Sequence, residues 1–138
     1  MEIDKVEVLN SGGIGIRANF GSAIWSPIRK KSGAIRDCKI AGNTGPGIAL
    51  DNCDRVEIEN NQLGYNVEQD GNTESTQTSG VTLGSNAFHV NCSHNHTTCK
   101  PGLSAYNSTN GAPNAMNKIT DETITRTVGG SGRFVKDF

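Results

Sequence analysis

Gly47-Ile48-Ala49-Leu50-Asp51-Asn52-Cys53-Asp54-Arg55-Val56-Glu57-Ile58-Glu59-Asn60-Asn61-Gln62-Leu63 contains two short alternating segments, each closed by asparagine. The first reads Gly, apolar, small, apolar, then polar residues ending at Asn52. The second reads apolar, any, apolar, any, then Asn60 and Asn61. A two-residue period over about four positions is the pattern of a strand buried on one face. Gly and Asn at the ends tolerate the left-handed backbone that a sharp corner demands.

Working outward, both segments recur. The Gly-led kind returns as Gly13-Ile14-Gly15-Ile16-Arg17-Ala18-Asn19 and Gly80-Val81-Thr82-Leu83-Gly84-Ser85-Asn86. The Asn-ended kind returns as Val6-Glu7-Val8-Leu9-Asn10, as Cys38-Lys39-Ile40-Ala41-Gly42-Asn43 and as Val90-Asn91-Cys92-Ser93-His94-Asn95. The two kinds alternate along the chain. Short strands repeated in this way, joined by Asn and Gly corners, describe a solenoid whose coils bury their inward residues only by stacking. The predicted fold is all-β: a right-handed parallel β-helix of three to four coils with an irregular β-rich C-terminal tail. Coils stacked at about 4.8 Å share one thin core. An antiparallel β-sandwich also has many short strands, but it has no reason to repeat corner residues in register. No segment carries a capped 3.6-residue stripe, so helix is considered only over 121–127.

A thin core also accounts for the composition. Only 33% of the 138 residues are hydrophobic, against about 45–50% in an ordinary globular domain. The net charge of −1 gives no self-repulsion to hold the chain open, and no field that would draw nucleic acid or an anionic membrane. No run approaches the roughly 18 apolar residues of a membrane span, and the first residues lack the pattern of a signal peptide. The predicted organisation is β-helix coils over 1–96, with loop insertions at 20–34 and 64–79. A C-terminal extension over 97–138 follows, as a capping or oligomerisation segment. Ala23-Ile24-Trp25 reads as a further short strand inside the first insertion.

The stretch 47–63 resembles the coils of the pectate-lyase-like right-handed β-helix superfamily, and is especially similar to the β-helices of bacteriophage tailspikes. That resemblance covers about residues 1–96. It implies the C-terminal part of a homotrimeric tailspike or fibre, in a virion tail or another extracellular setting, that recognises a polysaccharide or cell-surface glycan. The uncapped pattern at Ile3, Val6 and Val8 fits a piece of a longer protein or an oligomer. The superfamily also contains lyases and hydrolases, so a polysaccharide-degrading enzyme is the alternative. Its paired-Asp, Gly-His-Gly and Asp-Pro-His motifs are absent here. An arginine base of the lyase kind would have to be Arg17, Arg36 or Arg55.

Several residues are candidates for chemistry. Asp51 and Glu57, with Asp70 in the second insertion, could supply the two carboxylates that glycoside cleavage needs, about 5–9.5 Å apart. His89 would stand near them as a ligand contact or proton shuttle. Aligning the Asn-ended segments as one family places Glu7, Lys39, Glu57 and His89 in an outward column, and aligning the Gly-led ones sets Arg17 beside Asp51. Such columns equally describe surface ion pairs. Trp25, Tyr65 and Tyr106 are candidate sugar-stacking platforms. The cluster His89, Cys92, His94, His96 and Cys99 is rich in zinc-ligand types, but its spacing matches no finger or ribbon and Cys92 falls on an inward position. No metal and no cofactor is therefore expected. A Cys92–Cys99 bridge could form in an oxidising compartment, and Cys38 reads as a small core residue.

Overall fold

The computed structural model describes residues 1–19, 32–64, 77–84, 86–99, 105–108, 117–120, 123–126 and 135–136. Strands, turns and bends account for all the regular structure among them, with no helix. In chain order the first round holds β1 (Glu2–Asp4), β2 (Glu7–Leu9) and β3 (Ile16–Asn19). The second holds β4 (Gly33–Arg36), β5 (Lys39–Ala41), β6 (Ile48–Asp51) and the short β7 (Cys53–Asp54). The third holds β8 (Val56–Glu59), β9 (Gln62–Leu63), β10 (Val81–Leu83) and β11 (Ala87–Phe88). The fourth holds β12 (Asn91–Ser93), β13 (His96–Cys99) and β14 (Tyr106–Ser108). The last holds β15 (Lys118–Thr120), β16 (Thr123–Arg126) and β17 (Val135–Lys136).

Each round adds one strand to each of three sheets. The first sheet runs β1-β4-β8-β12-β15, the second β2-β5-β9-β13-β16 and the third β3-β6-β10-β14-β17, while β7 and β11 pair separately. Every pairing among the described residues is parallel. The sheets continue beyond residue 96, and the segment considered for helix, 121–127, contains the strand Thr123–Arg126 instead. Its run of β-branched residues fits a pleated ladder better than a helical turn.

The register stacks like on like. Ile3, Ile35, Ile58, Cys92 and Ile119 form one inward row of the first sheet. Ile16, Ile48, Val81 and Tyr106 form another on the third. Ile35, Ile40, Ile48, Ile58, Val81 and Leu83 are fully enclosed. Burying each such side chain contributes about 1.5–3 kcal/mol, so a narrow column of them can hold a chain of low apolar content. In the fourth round Thr97 takes the place of Leu63. Its buried hydroxyl lies 3.0 Å from the Tyr106 hydroxyl, so each polar group meets the other inside the core.

Corners are where the sequence departs from alternation. Between the first and second sheets, Lys5 (φ 54), Asp37 (φ 51), Asn60 (φ 55) and His94 (φ 54) all adopt the left-handed conformation. Each donates its backbone N–H to the round above: to the carbonyls of Arg36 (3.1 Å), Glu59 (3.3 Å), Ser93 (3.1 Å) and Thr120 (3.3 Å). One residue further on, the buried Asn61 and Asn95 form a ladder. Asn61 Oδ1 accepts from Cys38 N at 2.9 Å, and Asn61 Nδ2 donates to Ile35 O at 2.9 Å. Asn95 Oδ1 accepts from Asn61 N, and Asn95 Nδ2 donates to Ile58 O, both at 2.9 Å. The buried Asn43 and Gln77 do similar work at the next corner, where their amides meet at 2.8 Å.

The alignment of Asn-ended segments as one family needs correction. Val6–Asn10 and Cys38–Asn43 supply the second sheet, whereas Val56–Asn61 and Val90–Asn95 supply the first. Glu7 therefore stands beside Lys39, but Glu57 stands between Ala34 and Asn91 on another face, and His89 lies at a corner rather than in a strand. Arg17 faces Ala49, and Asn19, not Arg17, faces Asp51. Both sheets use the same apolar-any-apolar pattern, so a single strand could not reveal its sheet. The rounds are also unequal: 23 residues separate Cys38 from its bonding partner Asn61, and 34 separate Asn61 from Asn95.

Candidate functional site

Two outward corners gather polar chemistry. One joins the short β7–β11 ladder to the first sheet. There Arg55 (φ 60) and His89 (φ 51) turn the chain and leave their side chains exposed, while Asn52 (φ 52) makes the preceding turn from the third sheet into β7. His89 Nδ1 lies 2.7 Å from Asp54 Oδ1, and Asp54 Oδ2 lies 3.2 Å from Arg55 Nη1. The imidazole and guanidinium thus share one carboxylate across a round. Asp51 ends β6, just before the turn from the third sheet into β7. Its Oδ1 accepts the backbone N–H of Asn52 (2.9 Å) and of Asn86 (3.1 Å), tying two rounds together. A Cβ at Gly84 would come within 2.5–2.9 Å of that carboxylate, so a larger residue there would have to push Asp51 aside.

Behind these residues, Cys53 is buried as a thiol. Its pKa is pushed up to about 12, first by burial and then by the neighbouring Asp51 carboxylate. A thiol held protonated is a poor nucleophile, so Cys53 belongs to the packing.

The other corner joins the first and second sheets. Arg36, Asp37, Glu59, Asn60 and His94 line an open depression of about 430 Å³ that spans three rounds. That size falls within the ~300–1,000 Å³ of small-molecule clefts. Arg36 is held between two carboxylates, with Nη1 3.5 Å from Glu2 Oε1 and Nε 3.5 Å from Glu59 Oε2. All three are substantially exposed, so each pair contributes only about 0–1 kcal/mol and chiefly orients the guanidinium. Asn60 Nδ2 donates to Asp37 Oδ1 in the preceding round.

The sequence candidates are distributed unevenly over this surface. Asp51 ends a strand of the third sheet and Glu57 lies on the first, where its Oε2 accepts from Asn91 Nδ2 at 2.9 Å. Each carboxylate is engaged with protein donors. His89 partners Asp54, a residue not singled out from the sequence. Tyr106 is a correction: it is fully buried, so its ring offers no face to a sugar. Its inward position follows from register with Val81. Trp25, Tyr65, Asp70 and the strand read at Ala23-Ile24-Trp25 lie outside the described residues.

Cys92 is a buried thiol rather than half of a bridge, and it points inward while His94 and His96 lie exposed. Among the described residues no three His, Cys, Asp or Glu side chains converge on a metal position. The depression itself was missed because its residues belong to corners. The signal was present in the dipeptides Asp37-Cys38, Asn60-Asn61 and His94-Asn95, which align once the two sheets are separated.

Comparison with known proteins adds no relative: no family model, no curated protein and no solved structure matches the chain.

Proposed function

We propose that the protein is a right-handed parallel β-helix serving as a structural and glycan-recognition module, the distal part of a homotrimeric tailspike or fibre working in a virion tail or other extracellular setting. The observation that carries this reading is the column Lys5, Asp37, Asn60 and His94. It provides one outward hydrogen-bonding side chain per round, on corners fixed by backbone bonds between rounds. A polysaccharide is a repeating chain of hydroxyls, and a ladder of amide, carboxylate and imidazole groups about 4.8 Å apart offers it repeated partners. The scaffold adds rigidity, since its polar groups need not be ordered when the ligand arrives.

The engagement of Asp51 and Glu57 with protein donors favours binding over cleavage. Asp51 Oδ1 already accepts two backbone N–H groups from adjacent rounds, so the side chain serves as a corner brace. Immobilised capsular and O-antigen polysaccharides test the reading. The module should retain on at least one of them without releasing reducing ends, and its mass by sedimentation should be that of a trimer. A micromolar monomer that binds no glycan would overturn it.

A further inference from the structure

We propose that the depression at the corner between the first and second sheets binds a non-acidic glycan, neutral or amino-bearing, laid along the stacking direction across three rounds. This rests on the glycan-recognition reading and assigns it a place and a substrate class. The place follows from geometry. Asp37, Asn60 and His94 occupy equivalent positions in successive rounds, each held at φ 51–55, and all three line the same depression. Adjacent rungs about 4.8 Å apart match the length of roughly one sugar residue, so consecutive residues of a glycan would meet consecutive rungs.

The class follows from charge. Within the lining, one guanidinium faces two carboxylates, and that guanidinium is already bracketed by Glu59 and by Glu2 from the first round. A uronate or sialate entering here would meet Asp37 and Glu59 while finding Arg36 engaged, and like charges brought together disfavour the complex. A neutral sugar meets no such penalty. Its hydroxyls can donate to the carboxylates and accept from the Asn60 amide N–H groups. An amino sugar adds a favourable charge pair with Asp37 or Glu59.

The test is a binding titration of the full chain against a neutral mannan, chitosan oligomers and polygalacturonate at fixed ionic strength. The mannan or chitosan should bind at least roughly tenfold more tightly than the polyuronate. The double variant Asp37→Gly/Asn60→Gly removes both side chains while keeping a residue that accepts positive φ. It should weaken binding roughly tenfold with an unchanged unfolding midpoint. Should the double variant lose its fold, the near-isosteric Glu59→Gln carries the test by narrowing the gap between acidic and neutral polymers. Tighter binding of the polyuronate, or full binding by a folded double variant, would overturn the assignment and leave glycan recognition standing. Failure of the wild-type chain to bind any of the panel or any capsular polysaccharide would bring both down.

Discussion

At single positions, the fold depends on residues that can stand in the left-handed region. Gly64 is the most constrained of them. Its φ is +117, and a Cβ there would lie 1.9 Å from the carbonyl oxygen of Thr98 in the next round. That atom is backbone within a sheet and has little freedom to retreat. Gly64→Ala should therefore cost at least about 2–3 kcal/mol, read as a lower urea midpoint. An unchanged midpoint would show that the rounds at Gly64 and Thr98 are not in contact. Cys53 gives a second prediction at this scale. Its ordinary pKa of 9.0 is raised to about 12, so the folded chain keeps a proton that the unfolded chain releases above pH 9. Stability must then fall as pH rises from about 9 to 12, with no contribution from this group below pH 9. Comparing unfolding midpoints of wild type and Cys53→Ala across that window should show a steeper decline for the wild type, and parallel curves would contradict the buried setting.

Among elements, the corners decide the register of the sheets they join. Strand alternation was legible from the sequence because inward rows must be apolar: Ile48, Leu50, Val56 and Ile58 all fell where the pattern put them. Membership of a sheet was not legible. Val8 and Ile58 sit in equivalent local patterns yet belong to different sheets, and only long-range pairing distinguishes them. Within one sheet the register was not legible either, which misplaced Arg17 against Asp51 and left the inward position of Tyr106 unseen. The depression went unseen because it is built from corners of two sheets. The Asn61 ladder is the element-scale test. Asn61→Ala would leave Cys38 N and Ile35 O without their side-chain partners in a buried setting. The expected cost is about 2–4 kcal/mol in chemical denaturation. By contrast, Asn60→Gly, at the exposed position just before, should change stability by well under 1 kcal/mol. Equal effects at the two positions would contradict the inward ladder.

For the whole molecule, a parallel stack with unequal rounds has consequences that no single strand reveals. Because every pairing joins residues far apart in sequence, folding should be slow for a chain of this size. Insertions between corners lengthen a round without disturbing the rows above and below. Ile48 remains opposite Val81 although the intervening round is the longer one. That tolerance lets loops vary while the outward columns keep their spacing. The most direct test of this architecture is a methyl NOESY spectrum of isoleucine-labelled protein. The account predicts that Ile35 gives cross-peaks to both Ile3 and Ile58, and that Ile16 gives one to Ile48. An Ile35 methyl that sees only one of its two neighbours, or pairings that require antiparallel strands, would contradict it.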